Sequence, residues 1–235
     1  MKKQLSIIFV ILLLFCFACI QAEGCDPTMQ FKQLLKEHII ETIYSWPVKD
    51  QYAIMFFIYP NELNEYAGYS NLPQFSLLYK CESDMSQSPI SVGAMNRDEE
   101  RWNPAFWFGL HSEAKIIDFN ESNLVADSLI SWYRHIGVQD IGCEDYSFDD
   151  KKRYIGKGPN GLPELLDLVT EIAGELQTEG IIESRFGKKI PIILADFEFT
   201  WYMVSATLKA NPHGEADDYI EACLREGWAF EDQIQ

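Results

Sequence analysis

The sequence predicts a single domain of α/β or α+β class, with a central β-sheet covered by several amphipathic helices. Three observations carry this. Ile190 to Phe199 (IPIILADFEF) is a near-continuous apolar run, too short to cross a membrane, that reads as a central strand buried on both faces. Gln51 to Tyr59 (QYAIMFFIY) is a second β-branched and aromatic run without a helical period. Between and around them apolar residues recur at three- and four-residue steps, the mark of helices that bury one face.

The chain begins with Met1-Lys2-Lys3 and an apolar core from Leu5 to Phe15, the pattern of an export signal. That core is well short of the roughly 20 residues a spanning helix needs, which disfavours a retained membrane anchor. The expected division is a signal peptide over 1-22, cut after Ala22, and one globular domain over 23-235 in the periplasm. The alternative is a lipoprotein anchored at Cys19, where Phe17-Ala18-Cys19 forms a lipid box with Cys16 in place of the usual aliphatic residue. Cys25, Cys81, Cys143 and Cys223 follow the signal, an even number in an oxidising space, so at least one disulfide is expected and three pairings are open. A zinc site made of these four is not expected, because no two have paired-ligand spacing.

Charge narrows the partners. Nineteen basic residues stand against 36 acidic ones, net −17; removing residues 1-22 takes away Lys2 and Lys3 and leaves 17 against 36, net −19. Such a surface repels nucleic acid and anionic lipid, and it steers a basic protein toward itself. The same charge also serves solubility.

Asp26-Pro27 supplies an N-cap and a first-turn proline for a helix whose stripe is Phe31, Leu34, Leu35, His38, Ile39, Thr42, Ile43 and Trp46, ended by Pro47. His38 lies on the buried face and reads as a packed histidine. After the Gln51 to Tyr59 strand, Phe75 to Tyr79 reads as a third strand, and the polar stretch between Cys81 and Asp98 as an exposed excursion. In Arg101-Trp102-Asn103-Pro104-Ala105-Phe106-Trp107-Phe108, Asn103 caps and Pro104 opens a short helix, with Arg101 left outside to stack on an indole or pair with an acid. So much aromatic surface predicts a packed corner; a binding platform is the other reading.

Lys115 to Phe119 reads as a short strand. Asn120 or Ser122 then caps a helix carrying Val125, Leu129, Trp132 and Ile136, which Gly137 closes, with His135 near its end. Asp140, Glu144, Asp145, Asp149 and Asp150 surround Cys143 in a loop that lacks the alternation and central glycine of a calcium site. Gly156 to Gly161 resembles a phosphate loop only superficially, since no Lys-Ser or Lys-Thr pair follows and Pro159 removes an amide. Pro163 opens a helix with Leu162, Leu165, Leu166, Val169, Ile172, Ala173 and Leu176 as its stripe. The Ile190 to Phe199 strand follows the connection Arg185-Phe186-Gly187, a helix from Thr200 to Leu208 breaks at Asn211-Pro212, and a last helix starts at Glu215.

Arg101-Trp102-x-Pro104-Ala105-x-Trp107, the strand reaching Asp196, and the segment from Ser205 through Asn211-Pro212 together resemble a bacterial domain-of-unknown-function family marked by an RW-x-P-x-x-W motif. The match runs from Phe31 onward. It implies a single α+β or α/β domain and an association with toxin-immunity gene sets. It carries over no catalytic residue, and the export signal and four later cysteines depart from the family pattern.

These readings lead to an exported, acidic, non-enzymatic binding protein, an immunity protein neutralising a basic toxin in the cell envelope, with no cofactor and no metal. Its expected partner-binding residues are Glu144, Asp145, Asp149 and Asp150, then Asp217 and Asp218. The alternative is a periplasmic hydrolase whose carboxylates are Asp196 and Glu198 at a strand end, joined by His111 and Glu113. No nucleophile elbow and no metal-binding helix motif accompanies it.

Overall fold

The computed structural model describes residues 26–61, 65–86, 93–111, 113–120, 123–144, 146–197 and 200–234. The expected signal segment over 1-22, with Cys19, and also Cys25, Ser122, Asp145 and Glu198 lie outside them. Among the described residues, eight helices surround one four-stranded mixed sheet of strand order β3-β2-β1-β4. This is an α+β domain. No helix among those residues is long and apolar enough to cross a membrane.

Helix α1 (Pro27–Ser45) starts where predicted, with the Asp26 carboxylate accepting from Thr28 N at 3.0 Å. Strand β1 (Gln51–Asn61) pairs antiparallel with β2 (Leu72–Cys81) and parallel with β4 (Ile192–Ala195). Short β3 (Ala114–Ile117) adds antiparallel to the far side of β2. The central strands are therefore β1 and β2. The Ile190 to Phe199 run, expected at the centre, yields only a four-residue edge strand.

Its apolar composition still has a physical cause, because α7 (Trp201–Ala210) covers its outer edge. Pro191 O accepts from Ile54 N at 3.0 Å, so the alternate groups of Ile192 and Leu194 point away from β1. Asn211 receives them on one residue: Ile192 N donates to its Oδ1 at 3.0 Å, and its Nδ2 donates to Ile192 O at 2.8 Å. Leu194 N donates to Thr207 Oγ1 at 2.9 Å, and that hydroxyl donates to Leu194 O at 3.1 Å. Gln177 extends the row, its Nε2 reaching Ile190 O at 2.9 Å. Side chains thus stand in for a fifth strand, pairing the outward backbone groups of Ile192 and Leu194.

One sheet face, with Ile54, Phe56, Phe75, Leu77, Ile192 and Leu194, is covered by α1, α4 (Leu124–Ile136) and α5 (Leu162–Thr178). Lys32 and Lys36 of α1 clamp Glu171 and Glu175 of α5 and its C-cap Glu179 along the rim. The other face, with Met55, Phe57, Leu78 and Ile193, lies under Trp102, Trp107 and α8 (Asp217–Glu226). Several local expectations change. The excursion after Cys81 contains α2 (Glu82–Ser86) and α3 (Arg97–Trp102), so Arg101 lies inside a helix; the connection before β4 is itself helical, α6 (Ile181–Phe186). Asn123 caps α4, accepting from Val125 N and Ala126 N, so neither proposed cap is used.

Candidate functional site

The acidic loop is held in place from below. Gly142 approaches the Ser70 carbonyl so closely that a Cβ would sit 1.9 Å from its oxygen, and its φ of +81° excludes most side chains. From there the chain turns through an isolated antiparallel bridge between Phe148 and Tyr154. Asp149 is committed to that turn, accepting from Lys151 N at 2.9 Å, Arg153 N at 2.8 Å and Arg153 Nε at 2.8 Å. Its bonds to Arg153 hold the carboxyl below the usual range. Asp149 is accordingly a turn-forming residue rather than a contact for a partner. Arg153 also lies over the Phe230 ring and pairs with Asp232 at 3.4 Å, clasping the loop to the C-terminal turn. The result is a face where Tyr146, Phe148 and Phe230 are exposed beside exposed Asp150, Glu231 and Asp232.

The remaining predicted acids do not form one cluster. Glu144 is half-buried and faces the Tyr202 phenol. Asp217 and Asp218 are exposed in the first turn of α8, where the helix dipole favours them, and Asp218 senses Arg101. Asp145 lies outside the described residues.

The tryptophan motif forms a packed corner. Trp107 is buried, and its Nε1 donates to Arg101 O at 2.9 Å, a carbonyl that also accepts from Tyr52 Oη at 2.8 Å. Trp102 meets Tyr52 and Tyr219 edge-on, each at 5.6 Å. Pro104 is buried in a single 3-10 turn that Asn103 caps. Arg101 lies 3.8 Å over the Tyr52 ring and forks onto Glu82 at 2.6 and 3.0 Å. Burial pulls its guanidinium pKa down, but the hydrogen bond to Glu82 and the charges of Glu82 and Asp218 together outweigh it and leave the pKa raised.

Under this corner lies Lys80, 2% exposed, its ammonium donating to Glu100 O and 5.8 Å from the Trp107 ring. Burial pushes it from 10.5 down to about 8, with Glu100 and Asp84 pulling the other way. Between those values the unfolded chain holds a proton that the folded chain has released. The Lys80 contribution to stability therefore rises as pH climbs from about 8 toward 10.5, while below that window the buried cation is a constant cost. Cys81 and Cys223, pushed up by burial from 9.0 to about 12, act in the opposite sense above pH 9. Comparison with Lys80→Met isolates the lysine: from about pH 7 to 10 the wild-type protein should gain on the order of 2 kcal/mol relative to the variant. Denaturant melts that show a constant difference would refute this.

At the strand end, Asp196 is buried and accepts from Thr200 Oγ1 at 2.6 Å, tying β4 to the start of α7. Glu198 lies outside the described residues, and Asn211 serves the β4 edge while Pro212 is exposed behind it. His111 is not near Asp196. It stacks on Tyr79 at 4.3 Å and meets Asp84 at 2.8 Å, at the opposite end of the sheet. The strand register thus keeps His111 apart from Asp196, and the two do not share one centre.

Sequence reading missed the group that His111 does join. Cys81 ends β2, Asp84 lies in α2, and Asp84 Oδ2 accepts from Cys81 N at 2.7 Å. Their donor atoms and those of His111 all lie within 4.8 Å of one another. The short Cys81-x-x-Asp84 step was the available signal, hidden in a stretch that looked like solvent-exposed loop. Among the described cysteines, Cys81 and Cys223 are buried, Cys143 is exposed, and none is bonded to another. A disulfide to Cys25 lies outside the described residues.

Fold and surface thus define a class: an α+β domain with an acidic, aromatic face. No known family profile, curated protein or solved structure matches the chain, so the resemblance to the RW-x-P-x-x-W family rests on the motif residues themselves.

Proposed function

We propose that this chain is an exported, non-enzymatic binding protein whose acidic face captures a basic protein, in the manner of an immunity protein that neutralises a toxin in the cell envelope. The observation that supports this reading most directly is the pairing of exposed Tyr146, Phe148 and Phe230 with Asp150, Glu231 and Asp232 around the Arg153 clasp. Exposed aromatic residues ringed by charge are the composition of an interface, with the rings supplying affinity and the acids supplying rate. Asp150 is the exposed acid of the predicted set on this face, and Asp217 and Asp218 are exposed at the start of α8.

The test immobilises the protein in periplasmic extract at low and high salt, beside a Phe148→Ser/Phe230→Ser variant. A basic protein should be retained by the wild type, and the variant should lose it. With that partner purified, changing Asp150, Asp217 and Asp218 to Asn should slow association at least about tenfold at low salt. The difference should fade as salt shortens the Debye length below about 8 Å. Equal retention by the aromatic variant would refute the proposed face. Protection that survives it but fails with Asp196→Asn would move the function to the strand end.

A further inference from the structure

We propose that Cys81, Asp84 and His111 form a binding site for a divalent transition-metal ion of the zinc class, beside a cleft at the end of β2. Three separate elements deliver the ligands: the last residue of β2, the first turns of α2, and the connection preceding β3. Their donor atoms lie within 4.8 Å of one another, so one ion at ordinary bond lengths of about 2.0 to 2.3 Å reaches all three after small side-chain adjustments. Asp84 has a local reason to be here, because it accepts from Cys81 N at the start of α2. That reason does not explain why a thiol and an imidazole converge on the same carboxylate.

The surroundings fit a metal. Tyr79 stacks on His111 at an interplanar angle of 14°, fixing the plane of the ring. Asp50 accepts a hydrogen bond from the Cys81 thiol and is itself held by Ser83 N at 2.8 Å and Ser83 Oγ at 3.0 Å, so an acceptor stands beside the sulfur to lead away the proton that coordination releases. One thiolate and one carboxylate balance the charge of a divalent ion. The sulfur and nitrogen donors select zinc and its neighbours over magnesium and calcium, which take oxygen alone.

Coordination forms the sulfur–metal bond as the thiol proton leaves to water. The same buried sulfur, 1% exposed, is poorly placed as a free nucleophile. His111 also lines a cleft of about 670 Å³ with Trp46, Tyr79, Leu110 and Glu113. Three protein ligands leave a fourth position facing that cleft, the arrangement of metal sites that bind water or a small anionic ligand.

Cobalt(II) added to chelator-stripped protein in a Cys143→Ser background tests the site without assuming any activity. One equivalent should produce thiolate-to-cobalt charge-transfer absorption, and zinc should displace it. His111→Phe keeps the stacked ring and removes the ligand nitrogen. It should weaken binding at least about 100-fold, beyond the cost expected for outer partners. Asp84→Asn, checked by circular dichroism, replaces His111→Phe should that variant not fold. Absence of the absorption in the Cys143→Ser protein, or its retention with unchanged affinity in a folded ligand variant, overturns the site.

Discussion

Trp107→Ala should lower stability by about 3 to 5 kcal/mol, the cost of truncating a large buried aromatic side chain. The indole is 1% exposed, meets Tyr52 edge-on at 6.0 Å, and donates to Arg101 O at 2.9 Å. Trp107→Phe separates the two contributions. It keeps much of the ring contact and loses the N–H, and since Tyr52 Oη still donates to the same carbonyl, its cost should be about 1 to 2 kcal/mol. Urea melts report both changes. An alanine variant as stable as the wild type would mean that the corner is not packed as described, and that its aromatics are free to serve a ligand.

The second large effect is expected at Asn211. Alanine there removes the partners of Ile192 N, Ile192 O and Thr207 O, and it strips one acceptor from Gln177. Each buried group left unpaired costs about 1 to 3 kcal/mol, so a total of about 3 to 5 kcal/mol is expected, even after water reaches part of the gap. For a domain of this size that lowers the melting temperature by roughly 10 °C. Thr207→Val, which preserves shape and removes only the hydroxyl, should cost about 2 kcal/mol. Calorimetry that places Asn211→Ala within about 0.5 kcal/mol of the wild type would show that the edge is satisfied by other means.

Much of the architecture was legible in the sequence because it depends on period and punctuation. Asp26-Pro27 marks the start of α1, Gly137 ends α4, and the Leu162 to Leu176 stripe traces the buried face of α5. The place of β4 was not legible. A continuous apolar run signals burial on both faces, and it does not distinguish a neighbouring strand from a helix that offers Asn211 and Thr207 at the same edge. Helices α2 and α3 escaped notice because they are short, polar and capped locally, so no long stripe announces them.

The candidate sites were less legible, since spacing along the chain carries no information about folding in space. Asp149 and Asp150 look equivalent in sequence, yet one is consumed by its own turn and the other is free to face solvent. His111 and Glu113 looked like companions for Asp196 because both belong to loops beside strands. The antiparallel return of β2 carries His111 to the other end instead. Cys81 and His111 meet only because β3 is short and leaves the last residues of β2 uncovered.

The helix-sealed edge of β4 has a consequence for how this molecule opens. The outward amides of Ile192 and Leu194 are locked by side chains of α7 and its cap, so their exchange with heavy water is gated by that helix rather than by separation of β4 from β1. Local openings of this kind proceed in cooperative units. Ile192, Leu194 and the α7 amides should therefore exchange with one shared protection factor, and Asn211→Ala should release them together while leaving the β1–β2 amides protected. The last third of the sheet's edge would then breathe as a strand-and-helix pair, a boundary of motion that a map of strand pairing alone does not reveal.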